Sequence, residues 1–341
     1  MSHPLPTLTL QRWPYRHPFV ISRATLVEQY IGYASVQVDG RLCQGEGELH
    51  ETDLDAAEAL LREATQRFAA LGPDPSRETL RQAMPPNGAR NAFDAMLWDR
   101  DCKAANRRAW EIAGLDGIDA TSSVSTMSTV VIGEPEVMAA AARALLSDGG
   151  TSAEQVIKVK LGGSGGVDRD IERLHAVAAA APAATLTVDP NEGWTLADLN
   201  RFLQATRSLP LALIEQPLPA GQEDLYPELQ ARVPIAADEA CTTLASLDRL
   251  AGKVQVVNLK LDKCGGLTEA LLMCARAREL GLQLMVGCNC GTSLAMAPAF
   301  LVAVQCRFVD LDGPMFMKGD RPHPVRYHQH RMSAPSAALW G

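Results

Sequence analysis

VIKVKLGG, residues 156–163, sets two lysines one residue apart in an apolar run that ends at paired glycines. Successive side chains of a strand alternate between its faces, so Lys158 and Lys160 project to one side and Val159 to the other. A buried ammonium is costly unless paired, so two on one face require counter-charges from elsewhere in the chain. Working outward, short β-rich runs alternate with helical ones from about residue 124. The strand candidates are STVVIG (128–133), VIKVKLG, TLTVDPN (185–191), LALIEQP (211–217), IAADE (235–239), VVNLKLD (256–262), LQLMVGC (282–288) and FVDLDG (308–313). Between them lie helical runs such as PEVMAAAARALLS (135–147) and LTEALLMCARARELG (267–281). Eight βα-spaced strands predict a closed parallel barrel. An open doubly wound sheet is the alternative, but no GxGxxG follows the first strand, and such sheets have fewer strands.

Upstream, TLTLQRWPY (7–15), the region around FVISRATL (19–26) and YIGYASVQVDG (30–40) read as strands. Thr52 with Asp55 resembles a capping box opening the helix at 54–71, and ARNAFDAMLWDRDCKA (89–104) reads as a second helix with Phe93, Met96 and Leu97 on one face. The expected organisation is therefore an α+β capping domain over 1–120, a (β/α)7β TIM-type barrel over 121–312 and a C-terminal segment, 313–341, returning to the cap.

Composition narrows the function. The 341 residues are 47% apolar, enough for a large core, and the net charge of −8 leaves no clustered basic stripe for nucleic acid. MSHPLPTL lacks the form of a secretory leader, and the apolar run AMAPAFLVAV (295–304) is too short to span a bilayer, so no membrane partner and a cytoplasmic location are expected. An assembly of identical chains is compatible with this composition. The eight cysteines contain no CxxC pair and are read as reduced. Cys288-Asn-Cys290 is read as packing rather than as half a metal site.

Barrel chemistry sits at the strand ends. Asp189 ends the third strand, Glu215 the fourth and Asp238 the fifth, with Lys158 and Lys160 on the second and Lys260 on the sixth. Each acid alone could be a solvated loop charge, but three at matching ends converge on one side of the mouth. Carboxylates without histidine or thiol suit a hard cation, Mg²⁺ above all. A lysine acts as a base only if its pKa falls well below about 10.4, which burial, a second ammonium and a divalent cation all promote; Lys158 is read as tuning Lys160 in this way. Bases on the second and sixth strands would reach a bound carbon from opposite faces, the requirement for racemisation or epimerisation, with the metal stabilising an enediolate.

These residues carry a specific resemblance. KVK (158–160), VDPNEGW (188–194), IEQP (214–217), ADE (237–239) and NLKLDKCGGLTEA (258–270) resemble the muconate-lactonizing subgroup of the enolase superfamily, and ARNAFDAMLWDR (89–100) resembles its capping-domain helix. The resemblance implies Asp189, Glu215 and Asp238 as Mg²⁺ ligands, Lys160 and Lys260 as the two bases and Lys158 in support. No barrel histidine exists to serve the subgroup that uses one. Cycloisomerisation, succinylbenzoate synthesis, N-succinylamino-acid racemisation and dipeptide epimerisation share these lysines. VDLDGP (309–314) favours the last: Asp310 and Asp312 point one way by strand parity, and in the family's dipeptide epimerases this DxD holds the substrate's α-ammonium. The bland alternative is a DxD that only caps the barrel. Thr129 matches a family position near the substrate. The family's glutamate-specific members carry cationic groups at positions that correspond here to Leu26 and Leu294, so the expected substrate is an L-Ala-D/L-Xaa dipeptide with an apolar second residue. Arg23, in the same loop as Leu26, could still receive a glutamate carboxylate, as in L-Ala-D/L-Glu epimerases of murein peptide metabolism.

Overall fold

The computed structural model describes residues 5–50, 53–147, 155–229 and 231–341. Three long strands, β1 (Thr7–Ile21), β2 (Ala24–Val38) and β3 (Arg41–Glu48), form an antiparallel meander in that order. β1 is a single strand with a register shift between Pro14 and Phe19, where the sequence suggested two pieces. β3, RLCQGEGE, was not foreseen, because glycine and charge dilute its β-propensity. Its glycines are there for packing: a Cβ on Gly45 would lie 2.4 Å from Ala92 O, and one on Gly47 2.0 Å from Gly88 O. The strand thus lies directly against the backbone of the helix Gly88–Ala105, in which Phe93, Met96 and Leu97 are buried as expected. The helix Leu54–Ala69 is capped by Asp53, whose side chain accepts from Asp55 N and Ala56 N; Thr52, the expected cap, lies outside the described residues.

After the short strand β4 (Ser123–Ser125) come the eight parallel strands β5 (Ser128–Val130), β6 (Val156–Lys160), β7 (Thr185–Asp189), β8 (Leu211–Glu215), β9 (Ile235–Ala237), β10 (Val256–Leu259), β11 (Gln283–Gly287) and β12 (Phe308–Asp310). They neighbour one another in chain order, and the seam between β12 and β5 is bridged by Met127 N donating to Val309 O (2.7 Å) and Leu311 N to Thr126 Oγ1 (2.8 Å). The fold is a (β/α)7β TIM-type barrel with a small antiparallel cap. Two-residue periodicity sorts its side chains. Ile157, Val159, Leu186, Val188, Ile214, Val257 and Val286 face outward and join the helices in the main core. Met127, Leu213, Ala236, Val256, Met285 and Phe308 face inward and plug the barrel with an apolar floor. The charged positions lie above that floor.

The chain after β12 contacts both layers. β13 (Tyr327–His328) and β14 (Arg331–Ser333) form a small sheet with β4, while Arg321 binds Glu46 of the cap at 2.7 Å and Trp340 Nε1 donates to Ala95 O at 2.8 Å. Among the described residues, no helix is long and apolar enough to cross a membrane.

Candidate active site

A cavity of about 440 Å³ lies between the C-terminal ends of the barrel strands and the cap. Its barrel side includes Thr129, Lys158, Lys160, Asp238, Lys260, Asp310 and Asp312; its cap side includes Tyr15, Phe19, Arg23, Leu26, Glu48 and His50. Asp189 and Glu215 lie just beneath, both buried.

The paired lysines find their counter-charges in buried ion pairs. Lys158 Nζ stands 2.7 Å from Glu215, 2.7 Å from Asp310 and 3.0 Å from Asp189. Lys160 Nζ binds Asp189 Oδ2 at 2.5 Å and Asn191 Oδ1 at 3.1 Å. Four strands away, Lys260 Nζ binds Asp238 Oδ2 at 2.9 Å. In an eight-stranded ring this separation puts the strands of Lys160 and Lys260 opposite each other.

The charges are strongly coupled. Burial penalises the Lys158 ammonium, but Asp189, Asp310 and Glu215 outweigh it and raise its pKa well above the ordinary value. Lys158 is therefore held as a cation by three acids, and with only the chain's own charges around it its pKa moves opposite to the direction expected for an activated amine. Burial likewise opposes the Lys260 charge, and Asp238 with Glu215 raises its pKa. Glu215 is lifted to about 7 by burial and by the charge of Asp189. Asp189 and Asp238 are buried too, yet their lysines hold both below the usual carboxylate range.

Among the described residues, no three acidic, thiol or imidazole side chains are gathered closely enough to hold a metal ion by themselves; the ammonium groups stand between the acids. The donor set nevertheless fits a hard cation. Asp189, Glu215 and Asp238 offer only oxygen, and beside them Glu239 Oε2, Asn258 Oδ1 and Asp310 Oδ1 are buried without a hydrogen-bond partner. Asn258 Nδ2 donates to Glu215 Oε1 at 2.8 Å, which orients that carboxylate.

Asp310 and Asp312 share the wall beside β5. Asp312 Oδ2 accepts from Thr129 N at 2.7 Å, so this acid also ties the barrel seam. Burial and the charge of Asp310 lift the Asp312 pKa to about 7. The pair has one close ammonium, Lys158, for two carboxyl groups, and Asp310 Oδ1 is free.

The specificity positions separate. Leu26 lines the cavity beside Ile21 and Phe19, but Leu294 does not: it is the second residue of the helix Ser293–Ala303, is fully buried and packs in the barrel's outer core. Arg23 reaches the cavity from the turn between β1 and β2 and pairs with Glu192 at 2.9 Å and Glu239 at 3.0 Å, while its side chain remains 52% exposed.

Sequence reasoning missed four participants. Lys263, on the short helix Leu261–Cys264, donates from its Nζ to both the carboxylate Oδ1 and the backbone carbonyl oxygen of Asp238. Asn258 is inward-facing by the same parity that marks Lys260, a usable signal. Glu48 and His50, at the end of β3, both contact Asn289 Nδ2, at 3.1 and 2.7 Å. Nothing local in ELHE distinguishes them from surface residues. Burial and the charge of Asp262 push the Glu48 pKa up to about 8, whereas burial and Lys260 bring His50 down to about 4. All eight cysteines are free thiols, Cys288 and Cys290 among the cavity's lining.

This barrel, with lysines facing carboxylates across its mouth under a small cap, has the architecture of the enolase superfamily. Residues 137–338 match the family of enolase C-terminal domain-like proteins. The chain is 41% identical to an N-acetyl-D-glutamate racemase of a Pseudoalteromonas species over 76% of its length and 78% of that protein's. It is 36% identical to the L-Ala-D/L-Glu epimerase of Escherichia coli, strain K12, over 91% and 93% of the two chains. An Agrobacterium tumefaciens enolase family member, solved with sodium and L-Ala-L-Glu, superposes with a TM-score of 0.88 at 35% identity, covering 98% and 99%. The chain belongs to the dipeptide epimerase family of the enolase superfamily, and it is an isomerase.

Proposed function

We propose that the protein is a Mg²⁺-dependent dipeptide epimerase that inverts the α-carbon of the C-terminal residue. The observation that carries this reading is the placement of Lys160 and Lys260 on opposed strands of one cavity whose side wall holds the Asp310/Asp312 pair. Asp310 and Asp312 would receive the dipeptide's ammonium, supported by the free Oδ1 of Asp310 and by the excess of acid on that wall. Asp189, Glu215 and Asp238 would hold the Mg²⁺, which when bound supplies positive charge to the substrate carboxylate as negative charge develops on it. One lysine removes the α-proton while the other returns a proton to the opposite face, and the roles reverse for the other epimer. Lys158 keeps Asp189, Glu215 and Asp310 charge-balanced and oriented.

The reacting residue is best read as glutamate. The expectation of an apolar residue rested on Leu26 and Leu294, and Leu294 is away from the cavity. Arg23 lines it and is bound only by ion pairs at the solvent edge, an arrangement worth about 0–1 kcal/mol, so a substrate carboxylate can take the guanidinium at small cost. The Pseudoalteromonas and Escherichia coli relatives are both named for glutamate substrates, which supports the same choice. An apolar second residue is the other reading, favoured by Phe19, Ile21 and Leu26 on the cap wall.

The test is incubation with Mg²⁺ in D₂O and, separately, L-Ala-L-Glu, L-Ala-L-Leu and N-acetyl-L-glutamate, followed by mass spectrometry and chiral analysis. L-Ala-L-Glu should gain one dalton fastest. Faster exchange of L-Ala-L-Leu would restore the apolar reading, faster exchange of N-acetyl-L-glutamate would remove the ammonium role of Asp310 and Asp312, and no exchange in any substrate would end the assignment.

A further inference from the structure

Seven of the strands that meet at the barrel mouth present a polar side chain inward at or just past their ends: Thr129, Lys160, Asp189, Glu215, Asp238, Lys260 and Asp310. The eighth, β11, ends in Gly287, whose register partner on β12 is Asp310. Its backbone does not require glycine, since Gly287 is not among the residues with positive φ. Space does. A Cβ at this position would stand 2.8 Å from Asn258 Nδ2, 2.9 Å from Asn258 Oδ1 and 3.1 Å from Lys260 Cε. The Asn258 amide and the methylene stem of Lys260 therefore lean over the neighbouring strand and together occupy the volume that a side chain at 287 would fill, the amide the more tightly.

We propose that Gly287 is a positioning residue for Lys260, and that its missing side chain sets the balance between the two proton-transfer faces. This rests on the two-base reading above. A lysine stem can give way to a methyl group by rotating, but rotation moves the ammonium at its end, and proton transfer tolerates little error in that position. Crowding at residue 287 should thus act on one epimer's exchange and spare the other's.

The experiment uses the full chain with Mg²⁺ and measures α-hydrogen exchange in D₂O separately from L-Ala-L-Glu and L-Ala-D-Glu, for the wild type, Gly287→Ala, Lys260→Ala and the double variant. Lys260→Ala identifies the epimer whose proton Lys260 removes; equal loss from both epimers would fail the two-base reading itself, independently of Gly287. With that reading intact, Gly287→Ala should slow exchange of the Lys260-dependent epimer by about tenfold or more and leave the other within about threefold. In the Lys260→Ala background the added methyl should change the remaining exchange by less than about twofold, because the stem is gone and the Asn258 amide can swing into the space it leaves. Equal slowing of both epimers with an increased Mg²⁺ requirement would place the effect on Asn258 and Glu215 and overturn the proposal. So would no change at all in a variant whose melting temperature shows it folded.

Discussion

The floor of the cavity and its cap wall are built on opposite plans. On the floor, the charged side chains sit on strands or just past their ends: Lys160 pairs in register with Asp189, Lys158 with Thr187, Lys260 follows β10, and all are buried. On the cap wall, the turn carrying Arg23 is tied to the barrel by Ser22 Oγ donating to Asn191 O at 3.0 Å and by ion pairs at the solvent edge. Breaking a buried, hydrogen-bonded charge pair costs several kcal/mol, whereas an exposed pair is worth about 1 kcal/mol or less. The difference teaches where change is tolerated: on the proposed reading, proton transfer belongs to the buried half, and substrate choice to the half that can be rebuilt cheaply.

The comparison is broken most severely through the floor. Lys160→Ala and Lys260→Ala should each lower epimerisation by about 10²–10⁴-fold while exchange persists from one epimer only, read by mass gain in D₂O. Chelation of Mg²⁺ should remove both exchange reactions together and its return should restore both; retained exchange after exhaustive chelation would rule out the metal role of Asp189, Glu215 and Asp238. On the cap wall, Arg23→Leu should cost L-Ala-L-Glu about 30- to 100-fold in kcat/KM, the worth of a charge-assisted hydrogen bond, and leave L-Ala-L-Leu nearly unchanged. An equal loss for both dipeptides would make Arg23 a cap fastener. Asp310→Asn should raise KM for L-Ala-L-Glu by about tenfold, equivalent to about 1.4 kcal/mol, without altering Mg²⁺ affinity; a KM equal to the wild type's would reduce the DxD to a barrel seam.

The smallest effect lies where the two halves meet. Burial raises the Glu48 pKa to about 8, so between the ordinary carboxyl pKa and 8 the folded protein binds more protons at this site than the unfolded chain. Stability from this group therefore falls as pH rises through that window. His50 runs the other way: its pKa drops to about 4, the folded state binds fewer protons there, and stability falls as pH descends from about 6.5 towards 4. Glu48→Gln should accordingly raise the melting temperature more at pH 8 than at pH 5. A change equal at both pH values would show that Glu48 does not titrate in this range.

Much of the floor was legible because strand parity is a local property. Once VIKVK is a strand, Lys158 and Lys160 share a face whatever surrounds them, and the same rule applied to TLTVD, LALIE and FVD identifies Asp189, Glu215 and Asp310. The rule reached slightly past the strands as well: Lys260 and Asp312 follow the last paired residues of β10 and β12 and still face the cavity. It was less successful where helix and loop geometry intervene. Leu294 was reached by correspondence with the family rather than by parity, and its place on the helix Ser293–Ala303 turns it into the outer core. β3 escaped notice because its glycines answer to the helix Gly88–Ala105, a partner distant in sequence.

By itself the sequence determined the barrel, its cap and the ring of lysines and acids, since alternation and strand-end position depend only on neighbours along the chain. Tertiary structure alone decided that Lys158 is locked among three carboxylates, that Lys263 grips Asp238, that Glu48 and His50 meet at Asn289 and that Gly287 lies against Asn258 and Lys260. Those facts depend on distances between strands and on the cap's seat over the mouth, and chain-local patterns carry no record of either.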